Sequence, residues 1–135
     1  MLTRLTILTT ALVLTIAPLA AHHSFDAEFD RDKPVEVTGK VTKVEWMNPH
    51  AWFYADVKNA NGEIEKWQFE LGAPNALRRA GWGKNSLRVG DTVTVEGSMA
   101  KDGTNTVNAQ SIVLANGERV LGGSSRGNSR AADAQ

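Results

Sequence analysis

The sequence contains no cysteine, which excludes disulfides and thiolate metal sites. A folded domain must therefore be stabilised by its hydrophobic core. Net charge is also absent, because 15 basic residues balance 15 acidic ones. This balance provides no basic footprint for nucleic acid and no electrostatic steering of another ligand. We therefore expect no nucleic-acid partner.

Long hydrophobic runs are absent except at the N-terminus. Arg4 gives a short positive start, Leu5 to Leu19 is apolar apart from threonines, and Ala20-Ala21 supplies small residues for cleavage. This pattern is typical of a secretory signal peptide and is too short for a good membrane span. We predict that residues 1–21 are removed and that the mature protein is periplasmic and not membrane-embedded. The remaining 114 of 135 residues suffice for one domain.

Residues 35–121 show the alternation of a β-rich domain. Valines from Val35 to Val41 share one alternating phase, and the phase slips by one residue before Val44. Such a slip is typical of a β-bulge, and Gly39 lies where this first strand must bend. Asn48-Pro49 then interrupts the ladder and turns the chain.

Two further strands, Ala51 to Val57 and Glu63 to Leu71, follow the turn and are joined by an Asn-Gly hairpin signal at residues 59–62. Gly72 to Trp82 predicts a short helix, with Pro74 near its start. The later strands are Thr92 to Met99, Thr106 to Leu114 with a second slip, and a short Glu118 to Leu121.

The two ends of the mature chain lack this strand pattern. Residues 22–34 predict an N-terminal arm that lays Phe25 and Phe29 on the domain. Residues 122–135 are rich in Gly, Ser, Arg and Ala without apolar periodicity, which predicts a disordered tail.

The order of strands and helix resembles the oligonucleotide/oligosaccharide-binding (OB) barrel. We therefore predict a mainly β protein, built as a small five-stranded Greek-key, OB-like barrel with one short helix between strands 3 and 4.

The three histidines, His22, His23 and His50, are the candidate metal ligands. Cleavage after Ala21 makes His22 the mature N-terminus, which can chelate through its amine and its ring, and His50 adds a third nitrogen suited to copper. Cleavage after Ala20 instead places His23 third from a free amine, an arrangement that also binds Cu(II). The alternative interpretation is that the paired histidines are only a polar, solvated start.

Trp52 and Tyr54 alternate with the apolar side of the second strand and are candidate ligand-binding residues. They could form a stacking platform, whereas buried core is the usual place of such aromatics.

No nucleophile with a base, phosphate loop or zinc-protease motif is present, so we expect a binding module and not an enzyme. The catalytic route that the residues allow is copper redox chemistry at His22 and His50.

Four motifs together resemble a family of small exported bacterial proteins that is described only as a domain of unknown function. The motifs are Ala21-His22-His23-Ser24-Phe25, Trp46-Met47-Asn48-Pro49-His50, Arg79-Ala80-Gly81-Trp82 and Val89-Gly90-Asp91-Thr92-Val93. The resemblance implies the export and the fold, places the three histidines within motifs, and implies no activity.

Overall fold

The computed structural model describes residues 25–123 and shows a mainly β architecture of six strands and two short helices. Helix α1 comprises residues 25–28, and α2, Pro74–Arg79, lies between the third and fourth strands as predicted. The predicted signal peptide, His22, His23 and residues 124–135 lie outside the described residues. The strands are β1 (Phe29–Glu45), β2 (Trp52–Lys58), β3 (Ile64–Glu70), β4 (Thr92–Ala100), β5 (Thr106–Val113) and β6 (Arg119–Leu121).

The six strands form one sheet in the order β3-β2-β1-β4-β5-β6, and β3 also pairs with β5. The β3–β5 pairing is parallel, whereas the consecutive neighbours in this order pair antiparallel. Because β3 contacts both β2 and β5, the sheet closes on itself. One side of every long strand then faces an enclosed core and the other faces outward.

The core lies inside the closed sheet and follows the predicted alternation of apolar residues. In β2 and β3, Phe53 and Phe69 are fully buried and stack with ring centroids 4.6 Å apart. Leu77 of α2 and the nearby Trp82 belong to the same buried cluster. A second, separate cluster consists of Phe25, Phe29 and Ala100.

The bend of the first strand occurs where the valine phase slips. The β1–β2 register shifts between Val41 and Lys43, which confirms the predicted bulge. Gly39 lies in close contact with β2, because a Cβ at this position would come within 2.9 Å of Val57 Cγ2. The glycine therefore permits the close approach of the two strands as β1 curves.

The first strand begins earlier than predicted, at Phe29 instead of Val35. Phe29 pairs with Ala100 and Pro34 pairs with Ser98, so residues 30–33 form an irregularity inside the ladder. These four residues are charged and lack alternation, which is why the sequence pattern placed them in an arm. The prediction that the two phenylalanines pack on the domain is confirmed, since both are buried.

The hairpin between β2 and β3 is the one that the Asn-Gly signal predicts. Asn59 Oδ1 accepts hydrogen bonds from the backbone N–H groups of Asn61 and Glu63, each at 3.0 Å. Gly62 has a φ of 84°, a conformation that glycine adopts without a Cβ clash. This turn sets the register of the whole ribbon, including its far end at His50.

Residues 122 and 123 also differ from the prediction, which assigned residue 122 onward to a tail. Gly122 and Gly123 are buried, and Gly122 N–H donates to the Gln110 carbonyl at 2.7 Å. Only glycine fits here, because a Cβ on Gly122 would lie 2.0 Å from the Ala109 carbonyl oxygen. These two glycines gave no strand pattern in the sequence because they lack side chains, and for the same reason they can pack closely against neighbouring backbone.

Within residues 25–123, no helix is long and apolar enough to cross a membrane.

Candidate functional site

His50 lies two residues before β2, where the turn after β1 delivers it. The ladder between β2 and β3 continues past the formal strand ends, since Leu71 N–H donates to the Ala51 carbonyl at 2.8 Å. The backbone next to His50 is therefore fixed by the sheet. The His50 side chain is 44% exposed and remains accessible at the rim.

A buried carboxylate holds the His50 side chain. His50 Nδ1 donates to Glu70 Oε1 at 2.6 Å, and Glu70, the last residue of β3, is only 5% exposed. The pair leaves the second ring nitrogen, Nε2, without a hydrogen-bond partner among residues 25–123. Glu70 thus fixes the orientation of the imidazole and leaves Nε2 available to a ligand.

The surroundings of His50 favour its protonated form. The hydrogen bond to Glu70 raises the pKa of His50 above its ordinary value, partial burial of the ring opposes this shift, and the negative charges of Glu70 and Glu28 add to it. In the absence of a ligand, His50 and Glu70 therefore form an ion pair over a wider pH range than an isolated histidine would allow.

The effect of Glu28 shows that the start of the described chain lies near His50. Glu28 ends α1, and its carbonyl accepts the backbone N–H of Lys101 at 2.9 Å. Phe25, in the first turn of the same helix, packs on Phe29 with ring centroids 5.6 Å apart. Residues 25–28 are therefore held against the sheet by this backbone hydrogen bond and by the packing of Phe25 on Phe29.

Trp52 and Tyr54 face outward from β2 and are half-buried. The Tyr54 hydroxyl donates to Glu45 Oε2 at 3.1 Å, and Lys43 Nζ lies 5.3 Å from the centroid of the Tyr54 ring. Burial, followed by the hydrogen bond to Glu45, raises the pKa of Tyr54. The structure brings both aromatics onto the face of His50, but neighbouring side chains already occupy part of Tyr54.

Glu70 is the residue of this site that the alternation pattern misses, because it alternates with the apolar residues Phe69 and Leu71 and so gives no sign of being buried. The hairpin turn contains the missing signal. It pairs Trp52 with Glu70, and residues 50 and 52 share one side of the ribbon. His50 and Glu70 are therefore diagonal neighbours, a distance that long side chains span.

The described residues do not form a complete metal site by themselves. Within residues 25–123, no group of three His, Asp, Glu or Cys side chains is arranged to hold a metal ion. His50 is the one predicted metal ligand that this part of the chain contains, and His22 and His23 are outside it. That these two histidines bind a metal together with His50 stays a prediction.

The solved structures that are similar to part of this chain include two of TiaS. A complex of TiaS with tRNA and ATP is 25% identical, covers 63% of this chain and 18% of its own, and has a TM-score of 0.46. A ZRD-deleted mutant of TiaS in complex with agmatine is 26% identical, covers 63% and 22%, and has a TM-score of 0.44. This chain spans about a fifth of the length of either.

No curated protein matches the sequence. A family model does match, and it covers residues 11–109 of the 135, which include His22, His23 and His50. This match confirms the prediction that the chain belongs to a family described only as a domain of unknown function. The chain belongs to DUF6152, a family of unknown function.

Proposed function

We propose that this protein is an exported periplasmic binding module that holds copper, or another divalent metal that prefers imidazole, through His50 together with His22 and His23. Its scaffold is a five-stranded Greek-key, OB-like barrel. The strand order β1-β2-β3-β5-β4 around the closed sheet, with a helix between β3 and β4, supports this scaffold.

The observation that carries the proposal is the pairing of His50 with a buried carboxylate. Histidines that bind metals commonly donate their other ring N–H to a carboxylate, which fixes the tautomer and increases the basicity of the ligating nitrogen. His50 Nδ1 donates to Glu70 Oε1 at 2.6 Å in this way. The remaining nitrogen, Nε2, would then bind the metal.

The other ligands would come from the start of the mature chain. Glu28 lies close enough to His50 to affect its pKa, and Phe25 is anchored in the same segment. Two residues separate His22 from Phe25, and the three Cα–Cα steps between them span roughly 10 Å when the chain is extended. The proposal requires residues 22–24 to bring the N-terminal amine and the two rings to His50, and amine and imidazole nitrogens suit Cu(II).

The first experiment uses protein exported with its own signal peptide. The intact mass identifies the first residue of the mature chain, and a Cu(II) titration of the same sample is monitored by electron paramagnetic resonance. We expect a chain that begins at His22 and a nitrogen-rich Cu(II) signal. His50→Ala lowers the Cu(II) affinity by orders of magnitude and leaves the circular dichroism spectrum unchanged, because the side chain lies at the rim.

Lys66→Ala provides the matched control, since Lys66 is exposed on the adjacent strand and pairs with Asp56. It removes a surface ion pair without touching His50 or Glu70. Wild-type Cu(II) affinity in His50→Ala would contradict the two-part site and reduce it to a chelate formed by the N-terminal residues alone.

A second candidate function follows from the aromatic face of the ribbon. Trp52 and Tyr54 lie half-buried and outward on β2, beside His50. A small ligand or a protein partner could stack on this face without a metal. In that case Trp52→Ala abolishes ligand capture, His50→Ala does not, and added chelator has no effect.

A further inference from the structure

Two turns of the sheet have the same sequence, Ala-Asn-Gly-Glu. It occupies residues 60–63, between β2 and β3, and again residues 115–118, between β5 and β6. In each turn the glycine N–H donates to the carbonyl three residues earlier, at 3.0 Å for Gly62 and at 2.9 Å for Gly117. Both glycines have a positive φ, of 84° and 83°. The two asparagines therefore occupy the same position in equivalent turns.

In the first turn, the residue before this sequence supplies a side-chain acceptor. Asn59 Oδ1 accepts the N–H groups of Asn61 and Glu63, each at 3.0 Å. Asn61 is exposed, and its own carboxamide has no hydrogen-bond partner among residues 25–123. The Asn61 carboxamide is therefore free to rotate.

In the second turn, Leu114 stands at the corresponding position and offers no side-chain acceptor. The Glu118 N–H donates instead to Asn116 Oδ1, at 2.9 Å. This bond holds the Asn116 carboxamide in one orientation. The residue before each turn thus decides whether the asparagine that precedes the glycine is held.

An asparagine before glycine can lose ammonia by reaction with its own backbone, because glycine places no Cβ beside the attacking nitrogen. At Asn61, the Gly62 nitrogen gives its proton to a solvent base and attacks Cγ. The new N–Cγ bond closes a cyclic imide, the Cγ–Nδ2 bond breaks, and the departing nitrogen takes a proton from solvent and leaves as ammonia. Water then opens the imide at either carbonyl and gives aspartate or isoaspartate, with no change in oxidation state.

This reaction requires the carboxamide carbon to turn onto the next backbone nitrogen. Asn61 can do so once the Gly62 N–H leaves the Asn59 carbonyl. Asn116 must release an additional hydrogen bond, the one from Glu118. We propose that Asn61 is a site of spontaneous deamidation in the folded protein and that it reacts ahead of Asn116.

The products alter the tip of the β2–β3 hairpin. Either product adds a negative charge to a turn in which Asn59 Nδ2 already donates to the carboxylates of Glu63, at 3.4 Å, and Glu65, at 3.1 Å. Isoaspartate also lengthens the backbone by one atom before Gly62, which displaces the Gly62 N–H from the Asn59 carbonyl. We expect the modified protein to have a lower Tm than the unmodified protein.

The test is peptide mapping by mass spectrometry after incubation of the folded protein at mildly alkaline pH. Each deamidation adds one mass unit to its peptide. We expect Asn61 to react about 2- to 10-fold faster than Asn116, the factor that corresponds to one net hydrogen bond. The same incubation in urea should make the two rates equal, because both asparagines follow alanine and precede Gly-Glu. Equal rates in the folded protein, or a preference for Asn61 that persists in urea, would overturn the inference.

Asn59→Leu gives the first turn the residue that precedes the second. Without Asn59 Oδ1, the Glu63 N–H can donate to Asn61 Oδ1, as Glu118 donates to Asn116. We expect the Asn61 rate in the folded variant to fall to the Asn116 rate, while the Asn116 rate, the internal control, is unchanged. An unchanged Asn61 rate in the folded variant would contradict the role of Asn59, and the comparison of folded with urea-unfolded wild-type protein needs no variant.

Discussion

The ion pair between His50 and Glu70 makes a prediction about pH at the scale of single residues. Because the pKa of His50 is raised above its ordinary value near 6.5, the folded state holds this proton more tightly than the unfolded chain. The resulting stability is fully present below pH about 6.5 and is lost as pH rises through the folded-state pKa. The Tm of metal-free protein should therefore decrease across that window.

Glu70→Gln tests this dependence, because it keeps the shape of the side chain and removes its charge. We expect the Tm of the variant to change less with pH over the same window than the Tm of the wild type. An NMR titration of His50 should give a lower pKa in the variant. The size of the effect is modest since the His50 side chain is 44% exposed. Equal pH slopes in the two proteins would contradict the assignment of the stabilising proton to His50.

The residues of the site were predictable to different degrees. The Asn-Pro turn predicts that His50 comes just before the second strand, and in the structure His50 lies two residues before β2. The partnership with Glu70 needed the register of the hairpin in addition to the alternation of either strand.

At the scale of strands and turns, Gly97 marks a close approach of β4 to β5. A Cβ on Gly97 would lie 2.2 Å from the Asn108 carbonyl oxygen and 2.6 Å from Val107 Cγ1. Gly97→Ala must push the two strands apart beside the β5 bulge, so we expect a loss of about 1–3 kcal/mol in the free energy of unfolding. Urea denaturation measures this loss.

Gly83→Ala is the control for that substitution. The nearest atom to its Cβ would be Ser86 Oγ at 3.8 Å, and its φ is not in the left-handed region. We expect an unchanged or slightly higher stability, because alanine restricts the unfolded chain. A large loss at Gly83, or none at Gly97, would show that steric contact does not determine the cost.

Elements with a local signal were predicted well, and those that depend on distant pairing were not. Both phase slips correspond to register shifts, in β1 and between β4 and β5, because a bulge changes the alternation of its own strand. The early start of β1 at Phe29 has no such signal. It depends on pairing with Ala100 of β4, about seventy residues later in the sequence. Four charged residues interrupt this pairing between Phe29 and Pro34.

At the scale of the whole molecule, two separate apolar clusters stabilise different parts of the protein. The larger cluster fills the closed sheet, whereas Phe25, Phe29 and Ala100 form a small cluster that holds the N-terminal segment. A few buried side chains cannot stabilise that segment to the same degree as the core. We therefore expect the segment to open locally, at a lower free energy than global unfolding.

Phe29→Ala tests this division by amide hydrogen exchange. The Lys101 N–H, which donates to the Glu28 carbonyl, reports on attachment of the segment, and the amides of β2 report on the core. Removing the ring weakens the small cluster by about 1.5–3 kcal/mol, so Lys101 exchanges faster while β2 stays protected. Phe53→Ala, in the core, instead lowers the global stability by about 3–5 kcal/mol and accelerates both.

The same variant connects these two clusters to the proposed metal site. If the segment carries His22 and His23 to His50, Phe29→Ala lowers the Cu(II) affinity although Phe29 itself offers no ligand, because the binding-competent arrangement becomes less populated. The affinity should fall by the factor by which attachment is weakened, read from Lys101 exchange under the same conditions. A detached segment with unchanged copper affinity would mean that His22 and His23 bind the metal independently of the closed sheet.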